Sequence, residues 1–200
     1  MYTPEHYKND NIDEIKAFLK ANSFGILVNE VNGKPWATHI PLVLETDGNG
    51  NDVLTGHLAK ANPQWHSFKQ NQEVLCIFNG PHSYISSSWY KDEEVPTWNY
   101  IAVHVYGTIE ILEEAAVLSS LDRLVNKYEK GKINPISVAN LSAKTMRQVK
   151  GVVGFKIVIT EIQATYKLSQ GREHDHPKII DELNQRDAGA IAIAQEMDKK

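Results

Sequence analysis

The sequence predicts a mainly β fold with peripheral helices (α+β), in which antiparallel strands form a barrel. Three observations predict it: about seven short strand-like segments, strong hairpin turns between them, and helical segments that do not alternate regularly with the strands. A regular alternation of strands and helices would indicate a doubly wound parallel sheet instead. We therefore expect a barrel with helices on its outside.

The first half of the chain predicts one helix followed by strands with tight turns. Ile12, Ile15 and Leu19 recur at helical spacing, which predicts an outer helix. Strands follow at residues 24–30, 36–45, 52–58 and 74–78. The turns Asn32-Gly33 and Asp47-Gly48-Asn49-Gly50 favour hairpins, so the strands that flank each turn are expected to pair antiparallel.

A short helix is predicted between the third and fourth strands. Asn62 is a favourable cap, Pro63 suits the first helical position, and Trp65 and Phe68 supply an apolar side. Two more strands are predicted at residues 84–87 and 98–112. The second of these is long enough to bend across a barrel.

The second half of the chain predicts further helices around a strand region. The predicted elements are helices at residues 113–130 and 142–150, strands at 152–160 and 162–168, a helix from 177, and an alanine-rich tail at 188–197. Gly131 ends the first of these helices, and Pro177 opens the later one. Gly154 indicates a bend or a close backbone approach.

Composition excludes several classes of protein. The chain has 200 residues with 42% hydrophobic content, which is enough for the core of one domain. Its net charge of −4 argues against a broad nucleic-acid surface, which needs clustered Lys and Arg. The single cysteine, Cys76, lies in an apolar run, so we expect a buried, inert thiol. The sequence shows no signal peptide and no apolar run of membrane-spanning length, so we expect a cytoplasmic protein.

Residues 82–107 are rich in aromatic and polar side chains. The strand from Trp98 onward alternates, which places Trp98, Tyr100 and His104 on one face and aliphatic residues on the other. Such a face suits a flat ligand that needs stacking surface and a few aimed hydrogen bonds. Tyr and Trp also line dimer interfaces and the outer faces of barrels, so both interpretations stay open.

The end of the third strand has the composition of an anion site. His57, Lys60 and Asn62 come just before the predicted helix start at Pro63. Free backbone N–H groups and the positive end of a helix dipole favour a phosphate there. The alternative is that Asn62 only caps the helix and that Lys60 is solvated.

The preceding strand offers backbone groups to a ligand. Thr38 and His39 lie on opposite faces of this strand, and Pro41 removes one hydrogen-bond donor from it. A proline of this kind indicates an edge strand or a bulge. A heterocycle with donors and acceptors could pair with the main chain here, and an ordinary edge strand explains the sequence equally well.

The motifs of other enzyme classes are missing from the sequence. It has no Gly-x-Ser-x-Gly, His-Glu-x-x-His or Gly-x-Gly-x-x-Gly. Ser86, Ser87 and Ser88 have no evident base partner, so we assign no catalytic nucleophile. His174 and His176 lack companion ligands, so we predict solvated loop histidines and no metal site.

Five segments carry a resemblance to a known family. They are ATHIP (37–41), GHLAKANPQW (56–65), GPHSYIS (80–86), VPTWNY (95–100) and VHVYG (103–107). Together they resemble the PaiB family of FMN-binding transcriptional regulators, over nearly the whole chain. The resemblance implies a split β-barrel of the pyridoxamine-phosphate-oxidase and flavin-reductase type, normally a homodimer with flavin sites between subunits. It assigns residues 1–170 to an FMN-binding split-barrel domain and 171–200 to a C-terminal helical extension packed on it.

The same resemblance implies which residues hold the cofactor, FMN. In the wider superfamily, polar and basic residues of the second strand and of the segment after the third hold the phosphate, and residues beyond the last strand approach from the partner subunit. The implied cofactor-binding set is Thr38, His39, Ile40, Pro41, His57, Lys60, Asn62, Ser86, Trp98, Lys167, Ser169 and Gln170, with Arg172 as a further candidate. The superfamily's oxidases carry arginine where this chain has Thr38 and His39, which implies a weaker hold on the phosphate.

Three functional hypotheses follow. The first is an FMN-binding homodimer that acts as a negative transcriptional regulator or a flavin-dependent redox sensor. The second is a flavin-dependent oxidoreductase that acts on a small molecule beside Trp98, Tyr100 and His104. The third is a haem-binding or haem-degrading protein on the same barrel. DNA as a partner rests on three basic residues within 144–150, which a solvated helix face explains equally well.

Overall fold

The computed structural model describes residues 1–68 and 72–199. Its internal contacts divide the chain into two units. The first unit comprises Met1–Phe18, Phe78–His104 and Ile162–Lys200, and the second comprises Leu19–Ile77 and Val105–Glu161. Three long strands contribute residues to both units.

Within the described residues, seven strands form one sheet with an open order. The strands are β1 (Phe24–Val31), β2 (Lys34–Pro41), β3 (Val43–Thr46), β4 (Asp52–Ala59), β5 (Glu73–Ile85), β6 (Thr97–Ile111) and β7 (Val152–Lys167). Their order is β2-β1-β5-β6-β7-β4-β3, so β2 and β3 are edges and the sheet is not closed. The ladders of β1 with β2 and β5, and of β4 with β3 and β7, are antiparallel.

Helices flank the sheet, as the sequence predicts. They are α1 (Ile12–Ala21), α2 (Glu114–Glu129), α3 (Ala143–Met146), α4 (His176–Asn184) and α5 (Ala188–Met197). The mainly β, antiparallel class with peripheral helices is therefore confirmed. None of the helices in the described part of the chain is long and apolar enough to cross a membrane.

The prediction of one continuous strand over residues 36–45 is wrong. β2 ends at Pro41, which has no N–H, and the Leu42 N–H donates to the Ser23 carbonyl oxygen at 2.7 Å. β2 pairs with β1 and β3 pairs with β4, at opposite ends of the strand order. Within the second unit, β2 also contacts β4. The chain thus passes from one edge of the sheet to the other at Leu42.

Both hairpin turns predicted from the sequence are confirmed. Asn32 and Gly33 have φ values of 52° and 75°, the positive values that a two-residue turn with the strand twist requires. In the other turn, the Asp47 carboxylate accepts the N–H groups of Asn49 and Asn51, each at 2.9 Å. Antiparallel pairing of the flanking strands follows in both cases.

In two places the structure has one long strand where the sequence predicts two shorter ones. β5 covers the gap between 74–78 and 84–87, and β7 covers both 152–160 and 162–168. The predicted close approach at Gly154 is confirmed, because a Cβ atom there would lie 2.7 Å from Cγ2 of Val117 on α2. Gly154 therefore allows α2 to pack directly on the start of β7.

Two predicted helices are shorter than the sequence suggests. The segment after Asn62 is a five-residue 3₁₀ turn, Pro63–Ser67, although Asn62 caps it as predicted. The segment from Ser142 is the four-residue α3 followed by a 3₁₀ turn, Arg147–Gly151. The basic residues of 144–150 therefore do not share one continuous helix, and little helix dipole is available at Asn62.

Candidate functional site

In the second unit, strand β2 and the turn after β4 are joined by a side-chain hydrogen bond. Nδ2 of Asn62 donates to Oγ1 of Thr38 at 3.0 Å, while Oδ1 of Asn62 accepts the Gln64 N–H at 3.0 Å. No acceptor within the described residues takes the hydroxyl hydrogen of Thr38. Thr38 can therefore donate to a ligand while Asn62 holds its oxygen in place.

Buried amides fix this turn on β1. Gln64 is fully buried, and its Nε2 donates to Oδ1 of Asn29 at 2.8 Å and to the Leu27 carbonyl at 3.2 Å. Nδ2 of Asn29 donates to Oγ of Ser67 at 2.7 Å. This network is not predicted by the sequence pattern. The available indication was Asn29 itself, a polar residue at a core-facing position of an alternating strand.

The backbone of Lys60 is fixed, whereas its ammonium group is exposed. The Lys60 N–H donates to the Gly151 carbonyl at 2.7 Å, and the Lys60 carbonyl accepts the indole N–H of Trp65 at 2.9 Å. Within the described residues, Nζ of Lys60 has no ion pair or hydrogen bond. A cation on a fixed backbone is available to bind an anion.

The neighbouring histidines differ in their surroundings. His57 on β4 is half-buried and lies opposite Gly154 of β7, and its imidazole makes no hydrogen bond to the described residues. Burial lowers the pKa of His57, so its imidazole is neutral at neutral pH. His39 is exposed and its ring stacks on Phe24, with the ring centroids 6.3 Å apart.

The remaining β2 candidates have different positions in the strand. Ile40 is 8% exposed and belongs to the core. Pro41 is half-buried and ends β2. Ile40 can therefore support a ligand site through its backbone and its packing, with little side-chain surface to offer.

In the first unit, an aromatic patch lies on β5, β6 and the 3₁₀ turn after β5. We define the patch as the exposed residues His82, Tyr84 and Trp98 together with half-buried Trp89 of the turn Ser87–Trp89. Nε1 of Trp98 donates to Nδ1 of His82 at 3.2 Å, and Trp98 and Tyr84 meet edge to face at 6.1 Å. The guanidinium of Arg186 lies 5.5 Å from the Trp89 ring centroid. Trp98 is 49% exposed, whereas Ile101 and Val103 on the opposite face are buried, which confirms the predicted alternation.

Ser169 lies in a buried network instead of on a surface. Nδ2 of Asn99 donates to Oγ of Ser169 at 2.9 Å, and Oγ of Ser169 donates back to Oδ1 of Asn99 at 3.2 Å. Asn99 is 0% exposed and Ser169 is 4% exposed. Nδ2 of Asn99 also contacts the Met197 sulfur at 3.6 Å, and the Ser169 carbonyl lies 3.0 Å from Nε2 of His176. The network joins β6 to both C-terminal helices.

Two other first-unit candidates also use their side chains internally. The Gln170 amide donates to the Tyr166 carbonyl and accepts the Leu168 N–H at 2.8 Å. Oγ of Ser86 accepts the Ser88 N–H at 3.3 Å and caps the 3₁₀ turn Ser87–Trp89. These side chains hold the backbone around the aromatic patch and the end of β7 in place.

Lys167 and Arg172 provide the positive charge of this region. Nζ of Lys167 donates to Oγ1 of Thr97 at 2.5 Å and lies 5.4 Å from the Tyr7 ring centroid. Burial, assisted by the charge of Arg172, lowers the pKa of Lys167. Arg172 pairs with Glu94 at 2.9 Å. Lys167, at the end of β7, has no carboxylate partner within the described residues.

The prediction of solvated loop histidines is wrong for His176, which is half-buried and begins α4, with its Nε2 3.0 Å from the Ser169 carbonyl. His174 is exposed in the 3₁₀ turn Glu173–Asp175. Its Nε2 lies 3.2 Å from Oδ2 of Asp175. Within the described residues, no group of three or more His, Cys, Asp or Glu side chains could hold a metal ion. Cys76 is fully buried, and burial raises the pKa of its thiol, which makes it unreactive as predicted.

Comparison with solved structures defines the class of the protein. The chain is similar to the FAD and haem binding protein from Mycobacterium smegmatis, with a TM-score of 0.62 and 16% identity over 80% of this chain and 73% of that chain. It is also similar to the flavocytochrome Anf3 from Azotobacter vinelandii, with a TM-score of 0.60 and 18% identity over 80% and 69%. The fold is therefore the split β-barrel of flavin-binding proteins.

Sequence comparison then gives the family. Residues 1–161 match the family described as "Putative FMN-binding domain", and the chain belongs to this family. It is 45% identical over 203 residues to Protease synthase and sporulation protein PAI 2 of Bacillus subtilis strain 168, covering 100% of this chain and 98% of that protein. The resemblance to the PaiB family is confirmed, and the cofactor of the chain is FMN.

The second-unit cluster has the chemistry that a phosphate group requires. Thr38 has an unused hydroxyl hydrogen, and the ammonium group of Lys60 is unpaired within the described residues. The Asn62 amide orders the turn between them. Hydroxyl and ammonium donors of this kind fit a phosphate dianion.

Proposed function

We propose that this protein is a cytoplasmic FMN-binding homodimer that senses redox state and regulates gene expression. The observation that carries the proposal is the Asn62–Thr38 hydrogen bond, since it joins two segments that are separate in sequence into one donor cluster beside Lys60. In this proposal Thr38 and Lys60 hold the FMN phosphate and Asn62 orients Thr38. His39 and His57 supply further hydrogen-bonding groups around it.

The proposed cofactor supplies the redox chemistry, and the protein supplies binding and orientation. Bound FMN provides reversible electron transfer at its isoalloxazine ring. Lys167 stays a candidate contact of the flavin from the partner subunit, as the family resemblance implies, because it is half-buried and its ammonium group has no carboxylate partner within the described residues. Ser169, Gln170 and Ser86 act as positioning residues, since their side chains are already bonded within the protein.

The homodimer is supported by the aromatic patch of the first unit. Tyr84 is 40% exposed and Trp98 is 49% exposed, and both rings contact each other on one surface. Exposed aromatic rings of this kind are enriched at protein interfaces. Trp98→Ala should raise the dimer dissociation constant about tenfold or more, as the loss of an interface anchor does. Sedimentation equilibrium tests this, with exposed Trp36→Ala on β2 as the control; a protein that is monomeric before mutation would contradict the dimer.

A regulatory role is supported by the relative from Bacillus subtilis, whose name includes the words protease synthase and sporulation. Direct DNA binding has weaker structural support. The net charge is −4, and the basic segment 144–150 is divided between α3 and a 3₁₀ turn. We therefore propose that regulation acts through a protein partner or a flavin signal. A mobility shift that persists at physiological salt against excess nonspecific DNA would contradict this part.

The principal test is an FMN titration of purified protein freed of flavin. The expected result is quenching of FMN fluorescence with one FMN per chain at micromolar concentration. Riboflavin, which lacks the phosphate, serves as the matched control ligand. If Thr38 and Lys60 hold the phosphate, riboflavin should bind at least tenfold more weakly. Equal affinities would contradict the phosphate site.

A second candidate function, a flavin-dependent oxidoreductase, is favoured by one observation. His104 lies on the aromatic face of β6, and its buried Nδ1 has no partner within the described residues. Burial lowers the pKa of His104, with a smaller contribution from the N-terminal ammonium, which favours the neutral imidazole that a general base requires. Oxidation of NAD(P)H by FMN-loaded protein, reduced in His104→Gln, would support the enzyme. NAD(P)H oxidation no faster than that with free FMN would contradict the oxidoreductase and leave the redox sensor as the function.

A further inference from the structure

A groove of about 470 Å³ lies in the second unit between β7, α2 and the turn after β4. This volume is within the range of small-molecule sites. The apolar part of its lining includes Ile111, Val117 and Val153. Ile111 is 48% exposed, which is unusual for an isoleucine that borders a concave surface. The groove therefore offers apolar surface to a ligand.

Backbone contacts make the groove rigid. A Cβ at Gly154 would lie 2.7 Å from Cγ2 of Val117, so the wall formed by α2 depends on this glycine. The Leu112 N–H donates to the Gly154 carbonyl at 2.9 Å, and the Lys60 N–H donates to the Gly151 carbonyl at 2.7 Å. A preformed groove costs a ligand little ordering free energy.

The charged groups of the lining carry one net positive charge. Lys60 and Lys150 both line the groove, and neither forms an ion pair within the described residues. Glu114 is the one acidic group in the lining, and it too makes no ion pair with a described residue. Because Lys60 is assigned to the FMN phosphate, Lys150 is the lining cation that a second ligand can use. Lys150 beside an apolar wall matches a ligand with one negative charge and an apolar body.

We propose that this groove binds a small amphipathic carboxylate, with Lys150 holding the carboxylate and Ile111 covering the alkyl or aryl body. The proposal goes beyond FMN binding, although the groove shares Lys60 with the proposed phosphate site. The ligand is thus a second small molecule, distinct from the cofactor.

Calorimetric titration of the full-length protein with octanoate tests the proposal, with octan-1-ol as the neutral probe of the same chain length. Octanoate is expected to bind at one site per chain and at least tenfold more tightly than octan-1-ol. Equal affinities for the two probes, or no octanoate binding at millimolar concentration, would overturn it.

Substitutions at two groove residues, each with a matched control outside the groove, show whether octanoate binds there. Lys150→Gln should weaken octanoate binding about tenfold, whereas Lys132→Gln, at an exposed lysine beside Glu129, should leave it unchanged. Ile111→Ser should weaken octanoate and octan-1-ol by similar factors, and Ile133→Ser, at a 98% exposed isoleucine, should affect neither. Octanoate binding that survives both groove variants would overturn the assignment.

The relation to FMN is measured on the same variants. Lys150→Gln and Ile111→Ser are expected to leave FMN affinity within twofold of the parent protein. If both variants weaken FMN as much as octanoate, the groove is part of the flavin site and the proposal fails. If the parent protein does not bind FMN, the proposed function fails while the octanoate result stands by itself.

Discussion

Two hydrogen-bonded pairs, Thr38–Asn62 in the second unit and Asn99–Ser169 in the first, have different capacities for a ligand. Asn99 and Ser169 are buried and exchange two hydrogen bonds, so their groups are already satisfied. Thr38 only accepts from Asn62, which leaves its hydroxyl hydrogen available. The polar residues of the family motif therefore divide into groups that are available to a ligand and groups that hold the scaffold.

The same division extends to the charged residues nearby. Arg172 in the first unit forms an ion pair with Glu94. The ammonium group of Lys60 in the second unit has no partner within the described residues. A paired arginine contributes mainly to local structure, while an unpaired lysine can bind an anion. Substitutions in the first pair should therefore change stability, and substitutions around Lys60 should change ligand affinity.

The largest expected effect is on stability, in Asn99→Ala. Removing the Asn99 amide leaves the buried Ser169 hydroxyl without a partner and creates a small cavity, which should lower the free energy of unfolding by about 3 kcal/mol. Urea denaturation measures this, with exposed Asn126→Ala on α2 as the control. FMN affinity of the folded protein should stay within twofold. A loss below about 1 kcal/mol would contradict the structural role.

Lys60→Ala should have the next largest effect, on FMN affinity. Loss of a charge-assisted bond to the phosphate should weaken FMN by about 2 kcal/mol, with stability changed by less than about 0.5 kcal/mol. Fluorescence titration measures the affinity. Lys34→Ala, at an exposed lysine on β2, is the matched control. Unchanged FMN affinity would remove Lys60 from the site.

Thr38→Val tests ligand binding and structural support at one residue. The variant keeps the shape of the side chain but removes its hydroxyl, so FMN should bind about 1 kcal/mol more weakly and the Asn62 amide should lose its partner at a further cost of about 1 kcal/mol in stability. FMN titration and urea denaturation measure the two effects. Thr108→Val serves as control, since Thr108 makes no side-chain hydrogen bond to a described residue. A stability loss without loss of affinity would place Thr38 among the scaffold residues.

The smallest expected effect concerns His57 and pH. Burial lowers the pKa of folded His57 below its ordinary value of 6.5, so the unfolded chain binds a proton more readily than the folded one. The free energy of unfolding should therefore fall as the pH drops below about 6.5. His57→Gln should make this decline shallower, and His6→Gln, at an exposed histidine, should not. Parallel pH profiles for the parent and His57→Gln would contradict the assignment.

Local chemistry made several elements predictable from the sequence. The Asn32-Gly33 turn, the Asn62 cap and the alternation from Trp98 to Val105 each depend on residues within a few positions of one another. Gly154 was also informative, because a glycine inside an apolar strand indicates a close approach. The family motif added the candidate residues Thr38, Lys60 and Asn62.

Other features depend on contacts between distant segments. The break at Leu42 exists because β2 and β3 pair at opposite edges of the sheet. The Gln64–Asn29 bond joins residues 35 positions apart. Their side chains give no local indication of the partner that tertiary packing supplies.

Spacing, side-chain type and motif were enough to predict the antiparallel class, the turns, the aromatic face of β6 and the family. Contacts between distant segments establish that Ser169 is satisfied by Asn99 while the Thr38 hydroxyl hydrogen is left available. The physical reason is that a hydrogen-bonding group is available to a ligand only when no residue packed against it has already used it.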